Sequence, residues 1–110
     1  MHEMKLQDSP FQRMALGYKI IEMRLNDEKR QKIKIKDRIK FINILTNEEL
    51  IVEVLDLHHF SNFIELYDHF DKVSLGYQEN EEASPLDMQN YYTQDEIDKY
   101  GVLGIEVLVI

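Results

Sequence analysis

The chain has 110 residues, room for one compact domain and too little for two. Its 44% hydrophobic content is that of a globular protein, and no apolar run nears the roughly 18 residues of a membrane span, which argues against disorder and membrane insertion. A net charge of −8 argues against non-specific nucleic-acid binding by the surface as a whole, and the absence of cysteine excludes disulfides and thiolate metal sites.

The first six residues contain no apolar signal core, so a cytoplasmic location is the default. Residues 3–6 read as a short strand. A helix follows, with Asp8 or Ser9 as cap, Pro10 in the first turn and Gly17 as the left-handed residue past its end. Phe11, Met14 and Ala15 fall on one face of it. From 19 to 25 the period drops to two: Ile21, Met23 and Leu25 point one way, Ile20, Glu22 and Arg24 the other. Asn26-Asp27 caps a helical turn over 28–33. Two strands, 38–45 and 50–58, are joined by Thr46-Asn47-Glu48 as a hairpin. Ser61 caps a helix running to about 71, with Phe63, Tyr67 and Phe70 on one side. Residues 72–83 read as a long loop with an acidic patch at Glu79, Glu81 and Glu82. Ser84-Pro85-Leu86-Asp87 and Thr93-Gln94-Asp95-Glu96 are two capping boxes, and Gly101 ends the second helix. An apolar strand, 104–110, closes the chain, interrupted by Glu106. Strands at both ends with hairpins and helices between predict a single α+β domain, 1–110, with a mixed sheet curled into a barrel.

Charge is unevenly spread. Residues 1–40 hold 11 Lys and Arg against 6 Asp and Glu, a net of +5, and residues 41–110 hold 2 against 15, a net of −13. The basic excess over 19–40 reads as a solvated face or as a local anion site. No phosphate-cradling glycine loop, dinucleotide fingerprint or His-Glu-x-x-His pattern is present. His58 and His59 are adjacent on a strand and point to opposite faces, so they do not share a metal; neither metal nor cofactor is expected. Ser61, Ser84 and Thr93 are accounted for as caps.

The informative segment is Gly17-Tyr18-Lys19-Ile20-Ile21-Glu22-Met23-Arg24. Its G-x-K-x-x-E-x-R spacing just after the first helix resembles the ASCH domain family. The opening His2-Glu3-Met4-Lys5-Leu6 with Pro10-Phe11, the continuation Leu25-Asn26-Asp27-Glu28-Lys29-Arg30, and the later Ala83-Ser84-Pro85, Tyr91-Tyr92, Tyr100-Gly101 and Gly104-Ile105-Glu106 extend the resemblance over nearly the whole chain. One departure is Lys36-Asp37, where the family usually has Gly-Asp, and it predicts a different turn there. The resemblance implies a PUA-like mixed β-barrel with short helices packed around it. It also implies RNA or nucleotide binding in a cleft holding Lys19, Glu22 and Arg24, with Asn26 and Asp27 beside them.

The chemistry of those residues suits a cleft. Arg24 offers a planar fork for phosphate, carboxylate or a base edge, Lys19 a point charge, and Glu22 an acceptor for an exocyclic amine. Tyr91, Tyr92 or Tyr77 can stack on a base, or pack in the core. Glu22 and Arg24 also read as a local ion pair. Some small members of the same family act as amidohydrolases on acetylcytidine, through a Lys that activates a Thr nucleophile and a Glu in a later loop. Lys19 matches the Lys and Glu79 is a candidate for the loop residue, but Glu22 stands where the Thr would be. A third reading is docking of the acidic 41–110 region on a basic protein.

Overall fold

The structure is a computed structural model that describes residues 1–110. Five strands form one sheet: β1 (His2–Leu6), β2 (Ile21–Leu25), β3 (Arg38–Asn43), β4 (Glu49–Phe60) and β5 (Val102–Val109). Their order is β1-β3-β4-β5-β2. β1 runs parallel to β3, and every other pairing is antiparallel. The sheet curls into a half-barrel. Its edges, β1 and β2, share no ladder, so the curl is left open along one seam. No helix is long and apolar enough to cross a membrane.

Four short helices pack around the sheet: α1 (Asp8–Ala15), α2 (Phe63–His69), α3 (Lys72–Leu75) and α4 (Gln94–Tyr100). Phe11 and Met14 bury one face of α1, whereas Ala15, expected with them, is exposed. Gln7 precedes α1 without a side-chain cap. Asp8 lies inside the first turn and accepts from Nδ2 of buried Asn43 at 2.9 Å, tying the helix to the end of β3. Gly17 has φ 86°, the left-handed conformation that the helix end requires.

The helix expected over 61–71 is two helices. Asn62 rather than Ser61 caps α2 by accepting from Glu65 N–H, and the chain turns extended at Phe70. Asp71 then caps α3, so the expected loop over 72–83 begins with a helical turn. Ser84 caps a 3-10 turn, Pro85–Asn90, in place of an α-helix. The capping box at Thr93 and Glu96 is formed in full. β5 begins at Val102, two residues earlier than expected, because Gly101 ends α4 and leads straight into it.

At Lys36-Asp37 the chain makes a tight left-handed turn. Lys36 adopts φ 78°, the left-handed conformation a glycine would favour, and its N–H donates to Val54 O at 2.8 Å. Asp37 fixes the turn: its carboxylate accepts from Lys34 N–H at 2.9 Å and meets the His2 ring at 2.8 Å. The lysine bears the strain of the left-handed conformation.

Two hydrophobic clusters fill the interior. One joins β1, α1, β3 and β4 through Met4, Phe11, Met14, Ile39, Phe41 and Val52. The other lies between the sheet and α2, α3 and α4, around Ile21, Leu25, Phe63, Leu66, Leu75 and Ile97.

Candidate functional site

β2 is the edge strand on which the period-two pattern has the clearest consequence. Ile21 and Leu25 are buried in the second cluster, with Met23 packed against it. Glu22 and Arg24, on the opposite face, border the open seam. There Arg24 Nη2 donates to Lys5 O of β1 at 2.7 Å, a single bridge between the two unpaired edges.

Glu22 is 4% exposed and lies between two cations. One carboxylate oxygen is 3.2 Å from Lys19 Nζ and the other accepts from Arg24 Nε at 2.7 Å. Burial alone would push the Glu22 carboxyl up, but Arg24 and then Lys19 overcome it and hold it below the ordinary carboxylate value. The two oxygens offer about four acceptor positions, so each keeps capacity for a further donor.

Lys19 is 3% exposed and its position differs in kind from that of Arg24. Its ammonium donates to Ile21 O at 2.6 Å and to Leu75 O at 2.8 Å, and its third N–H faces Glu22. No N–H is left for a ligand. Burial pulls this ammonium below its ordinary value, against the attraction of Glu22. The turn after α3 makes the burial possible. Gly76 has φ 112°, and a Cβ there would lie 2.9 Å from Lys19 Cδ. Lys19 therefore fixes Glu22 and seals the floor, while Arg24, whose side chain is 15% exposed, reaches the open side.

These residues line a cleft of about 490 Å³. Its walls are the end of β1 with Ser9 and Pro10 on one side, and Tyr67, Tyr77, Met88, Tyr91 and Tyr92 on the other. Tyr91 is 60% exposed and faces the opening. Tyr92 is half-buried and stacks parallel to Phe63 with ring centres 6.1 Å apart; its phenol lies against Arg24. Tyr77 joins the phenol of Tyr67 at 2.8 Å and donates to Asp87 at 2.7 Å. Burial, with those hydrogen bonds, pushes the Tyr77 phenol far up, so it stays protonated. Arg13 Nη2 donates to Tyr77 O at 3.2 Å and pins this wall to α1.

Charge in the cleft is balanced: Lys5, Lys19 and Arg24 against Glu22, Glu81 and Asp87. Asn26 and Asp27 lie outside it. Asn26 borders a separate polar groove near His59 and Tyr100, and Asp27 caps Arg30 N–H at 3.1 Å while pairing with the Arg30 guanidinium at 2.9 Å. Glu79 does not line the cleft, whereas Glu81 does. The exposed cations Lys34, Lys36 and Arg38 lie toward the His2 end of β1. The cleft is at the Leu6 end, four residues or about 13 Å along the strand. The Tyr67–Tyr77–Asp87 chain and the burial of Lys19 depend on partners 10 to 56 positions away, beyond any local pattern.

No family model matches the chain, and no curated protein matches it significantly. Solved structures do. The crystal structure of hypothetical protein PH0355 is 30% identical, with a TM-score of 0.83, over 98% of this chain and 97% of that one. The solution structure of protein PF0455 from Pyrococcus furiosus is 29% identical, with a TM-score of 0.73, over 99% of this chain and 96% of that one.

Proposed function

The chain belongs to one family with hypothetical protein PH0355, and on that premise we propose that it is a PUA-like module of the ASCH type that binds a nucleobase, as a nucleotide or as one unpaired residue of RNA. The observation that carries this reading is an ionised carboxylate, Glu22, clamped between Lys19 and Arg24 at the floor of an open, tyrosine-walled cleft. A volume of about 490 Å³ falls within the range of small-molecule sites. Balanced charge favours a flat polar ligand over a polyphosphate. In this reading Glu22 accepts an exocyclic amine or ring N–H, the free edge of Arg24 donates to a carbonyl, and Tyr91 stacks on the ring. Lys19 keeps the carboxylate charged and in place. The basic residues near the His2 end of β1 then serve an RNA backbone that runs beyond the cleft.

Amide NMR spectra recorded while titrating nucleosides, nucleotides, acetylcytidine and a short single-stranded RNA test this. Saturable shifts at residues 5–7, 22–24 and 90–92, lost in Arg24→Ala, are the expected result. No shift with any of these ligands at millimolar concentration overturns the proposal, and release of acetate from acetylcytidine would replace binding by turnover.

A further inference from the structure

A second constellation lies away from the cleft, beside the end of α2. The β4 ladder with β5 shifts register between Val54 and Asp56, a bulge at Leu55. The shift sets Asp56 directly opposite Glu106. His58, two residues on, falls on the same face as Asp56. Its Nε2 is 3.0 Å from a Glu106 oxygen and 3.8 Å from an Asp56 oxygen, and the ligand atoms of all three residues lie within 4.8 Å of one another.

Like charges directly across an antiparallel pair are unfavourable. No Lys or Arg ion-pairs with either carboxylate, and His58 is the only partner they share. With His58 neutral the site carries two uncancelled negative charges. The geometry points to a binding site for a first-row divalent cation, typified by Zn²⁺, formed by Asp56, His58 and Glu106 with solvent in the fourth position. Donor atoms around a tetrahedral Zn²⁺ with bonds near 2.0–2.1 Å are about 3.3 Å apart, which the 3.0 and 3.8 Å separations bracket. One imidazole with two carboxylates is a donor set such ions accept. The ring is already oriented: Phe70 meets it edge-on with centres 5.0 Å apart. His69 stands 5.9 Å away, ring centre to ring centre, and brings a second imidazole to the rim. Asp56 is exposed, which leaves an entry path. A bound ion would clip the β4 bulge to β5.

Zn²⁺ titrated calorimetrically into the untagged full chain provides the test. One ion per chain with saturable binding is expected, unchanged in His59→Ala, whose side chain leaves the opposite face. His58→Ala should abolish it. Glu106→Gln keeps a hydrogen-bonding partner for His58, so it remains informative if His58→Ala fails to fold, and it should weaken Zn²⁺ at least about tenfold. The amide spectrum of each variant reports folding. Failure of the parent to saturate at millimolar Zn²⁺ overturns the proposal, as does binding that survives in Glu106→Gln at parental strength or is lost in His59→Ala.

Discussion

The two hydrophobic clusters do different work. The one joining β1, α1, β3 and β4 is aliphatic with two phenylalanines, and it is sealed: Phe41, Ile39, Val52 and Met14 have no exposed surface. The one under α2, α3 and α4 has fewer fully buried members and is ringed by half-buried Phe60, Tyr67, Phe70, Tyr77, Tyr92 and Tyr100. Tyrosines with one wet end suit a surface that opens to a ligand, and Tyr67, Tyr77 and Tyr92 of this ring line the cleft. Rigidity and access are thus assigned to different halves, and the Lys19–Glu22–Arg24 triad sits where they meet.

Substitutions can break or sharpen this contrast. Phe41→Ala should cost about 3–5 kcal/mol in chemical denaturation, the largest effect expected. Tyr92→Ala, on the cleft side, should cost at least about 2 kcal/mol less, and equal costs would erase the distinction between the clusters. Glu22→Gln leaves Lys19 buried with one acceptor weakened and should cost about 3 kcal/mol, the low end for a broken buried pair because Arg24 retains some exposure. The pH dependence has a definite sign. The folded Glu22 carboxyl lies below its unfolded value of 4.5, so the unfolded state binds more protons between the two. The stabilisation is complete above about pH 4.5 and is lost as pH falls through the folded value, and Glu22→Gln should flatten that acid limb. Gly76→Ala forces a Cβ against Lys19 at a left-handed residue and should cost about 1–3 kcal/mol, with the damage read at the triad by NMR. Smallest is Lys36→Gly on the sealed side. Relief of left-handed strain worth about 1–2 kcal/mol, less the entropy glycine loses on folding, should leave a gain of about 0.5 kcal/mol in thermal or denaturant midpoint.

Local patterns carried much of this molecule. Alternation along 19–25 put Glu22 and Arg24 on one face, Gly17 announced the end of α1, and Thr93 with Glu96 announced α4, because each signal lies within a few residues. The misses are long-range. Lys19 is expected to face a ligand, but the turn at Gly76 closes over it and its N–H groups meet Ile21, Leu75 and Glu22 instead. The helix expected over 61–71 breaks because Asp71 prefers to cap a new helix over continuing the old one. Asp56 meets Glu106 only through a bulge that a strand pattern does not mark. Asn26 and Asp27 follow the motif in sequence yet leave the cleft, because the strand ends at Leu25 and the chain turns away.

The position of β5 has a consequence for how the molecule comes to exist. It lies between β4 and β2 in the sheet, yet it follows every other strand in the chain. Until it is made, β2 has no ladder partner and one edge of β4 is bare. Such edges recruit other chains, and a nascent polypeptide waits with them exposed. Formation of the candidate cleft, whose floor is β2, therefore coincides with completion of the fold, and non-local pairings of this kind predict slow folding for a domain of this size.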